Sequence, residues 1–223
     1  MKRKKTKFAN GVLVTPVSRI ELRRQSRRIR RLLNLENVAY LPVPRLLETL
    51  QALLDDFEFF ICRKTDLPKN VFASYVPSGH CIVIKEAFYD MACRDGDGFA
   101  RWTIVHEISH YILHRNQLQC LTRKLDLPHK PYEDSEWQAD ALTCELLIPN
   151  HLITPKMSAE EIMKEFGVTK AAAEHVLRLL TKNETRTSWD HKICNKTPSD
   201  VNIYQKDDHS SYTKQNCSRI LSV

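Results

Sequence analysis

The stretch Trp102-Thr103-Ile104-Val105-His106-Glu107-Ile108-Ser109-His110-Tyr111-Ile112-Leu113-His114 constrains this chain more than any other. It carries H-E-x-x-H within a run that reads as a helix. His106 and His110 are one helical turn apart, so both imidazoles leave the same face, close enough to grip one zinc ion. Glu107 sits beside that face, where a carboxylate can take a proton from a metal-bound water. The rest of the run is apolar (Phe99, Ala100, Trp102, Ile104, Val105, Ile108, Tyr111, Ile112, Leu113), and a helix apolar nearly all round is a buried one. Two histidines and a glutamate in a buried helix are costly unless they are paired or hold a metal. Five residues can also match by chance, and zinc needs a further protein ligand.

A candidate lies downstream, in Glu133-Asp134-Ser135-Glu136-Trp137-Gln138-Ala139-Asp140-Ala141-Leu142-Thr143-Cys144-Glu145-Leu146-Leu147-Ile148-Pro149. Ser135 and Gln138 read as a capping box that starts a helix near Glu136. Pro149 makes its continuation difficult. Glu136 and Asp140 are one turn apart and share a face. Glu136 can complete a His-His-Glu zinc site, and Asp140 can accept a hydrogen bond from the far nitrogen of a zinc-bound histidine. A plain acidic helix start is the competing reading, because carboxylates favour helix N-termini. The apolar remainder, including Trp137, Leu142, Leu146 and Leu147, implies a packed helix and favours the ligand reading.

With both segments in view, HEISHYILH followed by EWQADALTCELLIP resembles the ImmA/IrrE family of metallopeptidases. Pro42-Val43-Pro44 before an amphipathic helix, a strand at Cys81-Ile82-Val83-Ile84 and Phe99-Ala100-Arg101-Trp102-Thr103 extend the likeness over roughly residues 35–150. The resemblance implies that His106 and His110 are ligands, that Glu107 is catalytic and that Glu136 is the third ligand. It also implies a zincin-like, minimal gluzincin core. Ile108-Ser109 stands where Leu-Gly is commoner, Gln138 where a second glutamate is frequent, and Leu142-Thr143 in place of Phe-Ala.

His114 is one further turn along the motif helix. No glycine separates it from His110, so the helix runs on and carries His114 away from the ion. It reads as a supporting or core residue. The seven cysteines form no C-x-x-C pair, which suits reduced thiols in a cytoplasm. Nothing approaches a membrane span, and the lysines after Met1 are not followed by a signal-peptide core. Asp95-Gly96-Asp97-Gly98 reads as a turn capping the motif helix. It lacks the ligand series of a calcium loop.

Charge is uneven. Residues 1–31 hold twelve Lys/Arg and one acid, a net +11, whereas the remainder holds 22 basic and 26 acidic residues, a net −4. The basic character therefore belongs to an arm. Residues 1 to about 18 read as a flexible tail and 19–33 as a helix with a thin apolar stripe. Contact with nucleic acid or with an acidic partner surface is one reading of this arm, a solvated helix face docked at one edge the other.

Three short strands, at Phe57–Cys62, Val71–Val76 and Cys81–Ile84, beside the buried helix pair predict an α+β layer arrangement. The last two are expected to form a hairpin turning at Pro77-Ser78-Gly79-His80. In zinc peptidases of this plan a sheet edge receives the substrate backbone, and Cys81, Ile82, Val83 and Ile84 are expected to serve as that edge. His80 reads as an exposed turn residue or one near the cleft. Residues 115–131 read as a connecting loop, of a length that suits either substrate contact or a lid. The expected organisation is an arm over 1–34, a metallopeptidase domain over 35–152, a helix-turn-helix-like helical hairpin over 153–182 and a disordered tail over 183–223.

The function expected from these residues is a cytoplasmic zinc-dependent endopeptidase. By family resemblance its substrate is a helix-turn-helix repressor, and its setting is transcriptional stress response. The competing expectation is a non-catalytic, zinc-containing regulator that binds DNA or a repressor.

Overall fold

The computed structural model describes residues 11–116 and 130–184. Two helices form its centre, α4 (Gly98–His114) and α5 (Ser135–Leu147), packed side by side along most of their length. α4 buries Ala100, Ile104, Val105, Ile108 and Tyr111; α5 buries Ala139, Leu142, Leu146 and Leu147. Helices apolar on several faces must be covered on several sides. A basic helix, α1 (Arg19–Leu32), covers α5, while α3 (Glu86–Cys93) and the sheet cover α4. Where α4 meets α5, the Ser109 and Thr143 hydroxyls are 3.0 Å apart and buried, and Ser109 also donates to the Val105 carbonyl. Ser109 and Thr143 are two of the departures from the family pattern. Each hydroxyl satisfies the other, so neither is left unpaired in the core.

The sheet has three strands, β1 (Glu58–Cys62), β2 (Ala73–Val76) and β3 (Cys81–Lys85), in the order β1-β3-β2. β3 pairs in parallel with β1 and antiparallel with β2, and all five of its residues are buried. This corrects the expected substrate strand. Cys81, Ile82, Val83 and Ile84 lie in the central strand, whose backbone is engaged on both sides, so they offer no free edge. β2 flanks the sheet on the side that touches α4.

Helix α2 (Val43–Leu53) has proline in its first turn, where a missing N–H costs nothing, and buries Leu46, Leu47 and Leu50. A short helix at Glu86–Cys93 has no counterpart among the elements predicted above. Phe88 and Ala92, one turn apart, bury there against the core.

Two further helices follow α5: α6 (Ala159–Phe166), with the expected Ser158–Glu161 capping box, and α7 (Lys170–Glu184). Gly167 between them has φ +63°, a left-handed helix end that glycine adopts without strain. Ile162, Phe166, Val168, Ala173 and Val176 join the same core as α4 and α5. Arg101 of α4, fully buried, donates to the Leu41 and Phe166 carbonyls at 3.0 and 3.2 Å and stacks on Tyr40 at 3.7 Å. The helical hairpin is thereby fastened to the start of the motif helix.

The N-terminal segment departs from expectation. Residues 11–17 do not hang free but lie against the start of α5. Val14 N–H donates to the Glu133 carbonyl at 2.8 Å and Ser135 N–H to the Val12 carbonyl at 3.0 Å. Gly11 passes so close that a Cβ there would meet Ser135 Oγ at 2.6 Å and the Glu136 backbone nitrogen at 2.7 Å. The expected tail after residue 184, most of the 115–131 loop and the first ten residues lie outside the described residues. No described helix is long and apolar enough to cross a membrane.

Candidate metal centre

Each site helix has a fixed start. Asp97 caps α4 by accepting from Ala100 N–H at 2.8 Å, as the Asp-Gly turn predicted. α5 is capped one residue earlier than expected. Asp134, not Ser135, accepts from Trp137 N–H at 2.8 Å, while Ser135 Oγ accepts from Val12 N–H. Both residue types can cap; the N-terminal segment takes up Ser135 and leaves the role to Asp134.

The structure brings His106, His110 and Glu136 together, with one ligating atom of each within 4.8 Å of the others. His106 Nε2 and His110 Nε2 are 3.0 Å apart; Glu136 lies 3.3 Å from the first and 3.4 Å from the second. Ligands of a tetrahedral zinc at about 2.05 Å stand about 3.3 Å from one another, so the donor set has the size such an ion requires.

The hydrogen-bond partners settle which ring nitrogens carry protons. Gln138 Nε2 donates to the Thr15 and Tyr132 carbonyls, both at 2.8 Å, so its Oε1 is the acceptor toward His114 Nε2 at 3.1 Å. His114 is buried, and burial, opposed only in part by this hydrogen bond, pushes its pKa down to about 4. It is therefore neutral, with the proton on Nε2 and a lone pair on Nδ1. That lone pair faces His110 Nδ1 at 3.2 Å, so His110 donates there and keeps its Nε2 lone pair for the centre. His106 Nδ1 is likewise 3.0 Å from Asp140. Two imidazole lone pairs and a carboxylate thus converge on one point, an arrangement that requires a cation.

Without a metal, a proton supplies that charge. Burial disfavours a charged His106, but hydrogen bonds to Asp140 and Glu136 and the attraction of Asp140 and Glu107 outweigh it, pushing its pKa up to about 10. The same hydrogen bonds, from His106 and His110, hold the Glu136 carboxyl far below the usual carboxylate range.

Glu107 is anchored separately: its Oε2 accepts from the Tyr75 backbone N–H at 2.7 Å. Tyr75 sits in β2, so the carboxylate lies against the flank of that strand. His80 does not join the triad. It has φ +49° and pairs with Asp56 at 3.0 Å, and Asp56 also accepts from Tyr111 Oη at 2.9 Å. Asp140 and His114 stand beside the triad, in contact with His106 and His110 respectively. Sequence reasoning missed two participants. Tyr75 contributes a backbone N–H, which has no sequence signature. Gln138 was visible as a departure from the family pattern, yet its role needed the carbonyls of Thr15 and Tyr132 to be located.

Neither curated proteins nor solved structures gave a match to the chain. One family model, described as the IrrE N-terminal-like domain of a peptidase family, matches residues 94–178. That span runs from the turn before α4 into α7 and includes His106, Glu107, His110, Glu136 and Asp140, so this part of the chain is similar to the IrrE N-terminal-like peptidase domain.

Proposed function

We propose that this protein is a zinc-dependent endopeptidase that cleaves a specific protein partner. His106, His110 and Glu136 hold the ion, and Glu107 is the general base. The observation that carries the reading is the convergence of three ligating atoms within 4.8 Å, with an anchored carboxylate on the adjacent residue. Zinc at this point would polarise a carbonyl and lower the pKa of a water molecule from about 16 to about 7. Glu107 takes the proton of the attacking water on its carboxylate and returns it to the departing amine. The Tyr75 N–H keeps that carboxylate oriented through both transfers. His114 and Gln138 hold the His110 ring in the tautomer that presents Nε2, and Asp140 does the same for His106.

The flank of β2, beside Glu107, is the better candidate for an extended substrate backbone, since β3 is enclosed. The family resemblance supports a helix-turn-helix repressor as the substrate, and the free thiols of Cys62, Cys81, Cys93 and Cys144 fit a reducing, cytoplasmic setting. The test is incubation with helix-turn-helix repressors of the same organism, with zinc supplied, comparing wild type with Glu107→Gln. The variant is expected to retain full zinc content and lose cleavage by roughly 10²–10⁴-fold. Cleavage at the wild-type rate would remove Glu107 from its role. Cleavage by neither protein, with zinc bound to both, would favour a non-catalytic regulator.

A further inference from the structure

The arginines of α1 point in two directions. Arg30 is fully buried and donates to the carbonyls of Leu146, Val38 and Ala39. Arg19 and Arg23 converge on one oxygen of Glu145, at 3.1 and 2.9 Å. On the outer side, Arg23, Arg24 and Arg27 line a cavity of about 330 Å³ between α1 and the segment Pro149-Asn150-His151. Its opposite wall is fixed, because His151 Nε2 donates to the Glu36 carbonyl at 2.8 Å and Ser26 Oγ to the Glu145 carbonyl at 2.6 Å.

The charge balance of this cavity is specific. Glu145 is the one carboxylate among its lining residues, and two guanidinium groups already share it. Arg24 has a surface partner, Glu21, at 3.1 Å, but Glu21 does not line the cavity. Arg27 is exposed and makes no ion pair with a described residue. Arg27 is three residues beyond Arg24 and four beyond Arg23, so its guanidinium lies one turn along from each, and all three line the same cavity. Planar donors at that spacing match a tetrahedral oxyanion. The volume lies at the low end of small-molecule sites and admits a phosphate together with the group that bears it.

We propose that this cavity binds a phosphate ester, with Arg23, Arg24 and Arg27 donating to its oxygens. The bearer is either a mononucleotide or a nucleic-acid strand, which share that chemistry. The site is separate from the metal centre and stands or falls independently of the peptidase reading.

The test uses the full chain with two probes, AMP followed by calorimetry and a fluorescein-labelled DNA duplex followed by anisotropy over a range of salt. Arg24→Glu/Arg27→Glu removes two donors without touching the Arg23–Glu145 pair, and thermal melting checks that its fold is retained. Lys64→Glu, an exposed lysine after β1, is the charge control. The double variant is expected to weaken binding by more than about tenfold, because charge-assisted hydrogen bonds are lost. Its salt slope for DNA is expected to fall by about two. Loss of AMP binding identifies a nucleotide site; loss of DNA binding alone identifies a strand. Wild-type protein that binds neither probe, a double variant that binds as wild type does, or Lys64→Glu matching the double variant would overturn the assignment.

Discussion

Replacing Asp140 with alanine removes the carboxylate 3.0 Å from His106 Nδ1 and leaves that ring free to turn or change tautomer. Partners of this kind are generally worth 10- to 100-fold in metal affinity, about 1.4–2.7 kcal/mol. The Asp140 side chain is 60 % exposed, so solvent screens the pair and the lower end applies. The expected loss is about tenfold in zinc affinity. Asp140→Asn keeps an acceptor for the Nδ1 proton but removes the charge, and a loss of only about threefold is expected if orientation is the main contribution. Competition against a chromogenic zinc chelator measures both variants. Cleavage at saturating zinc separates affinity from chemistry, and most activity should return there. Alanine and wild type binding zinc equally would refute the argument, showing that His106 is oriented by packing alone. An asparagine variant weaker than alanine would refute it differently, by showing that the amide reverses the ring instead of holding it.

Further expectations concern the frame around the centre. Arg30→Met leaves the Leu146, Val38 and Ala39 carbonyls without their donor, and urea denaturation should show a loss of about 1–3 kcal/mol. Gly167→Ala places a Cβ 2.6 Å from Tyr40 Cε2 at φ +63°, and thermal melting should register a cost of about 1–3 kcal/mol. At Asp56, burial raises the pKa, but hydrogen bonds from His80 and Tyr111 and the charge of Arg115 win, leaving it below the ordinary value. A depressed carboxylate contributes stability above its unfolded pKa and loses it as pH falls through the folded one. Asp56→Asn should therefore show a shallower acid limb below about pH 4, an effect kept small by the 46 % exposure of this side chain. If the ligand set is right, zinc at 100-fold over its dissociation constant adds about 2.7 kcal/mol, and a chelator should lower the melting temperature accordingly.

The helix pair and the triad were legible because their signals are local. The spacing of His106 and His110 fixes a shared face, and the apolar residues around them announce burial. The strands at 58–62 and 81–85 were legible for the same reason. Strand order was not, because the choice of a central partner is tertiary, and β3 was therefore mistaken for an edge. Residues 11–17 were read as part of a tail because they dock through backbone hydrogen bonds, which leave no side-chain pattern. The arginine helix was read from composition as a solvated or nucleic-acid-facing surface. Arg30 cannot be told from its neighbours until the carbonyls it meets are placed. Asp134 and Ser135 are equally good caps in sequence, and only the path of Val12 decides between them.

The Gln138 amide joins the N-terminal segment to the last residue of the motif helix. Its two N–H groups are spent on the carbonyls of Thr15 and Tyr132, and this pins the amide in one of its two possible flips. A chain cut after residue 15 would lose one of those anchors, and the opposite flip would then offer nitrogen to His114. The neutral ring would have to move its proton to Nδ1, confronting the Nδ1 proton of His110. A peptide clipped from the N-terminus, far away in sequence, would thus be felt at the centre as an error in proton order, with every proposed ligand still present.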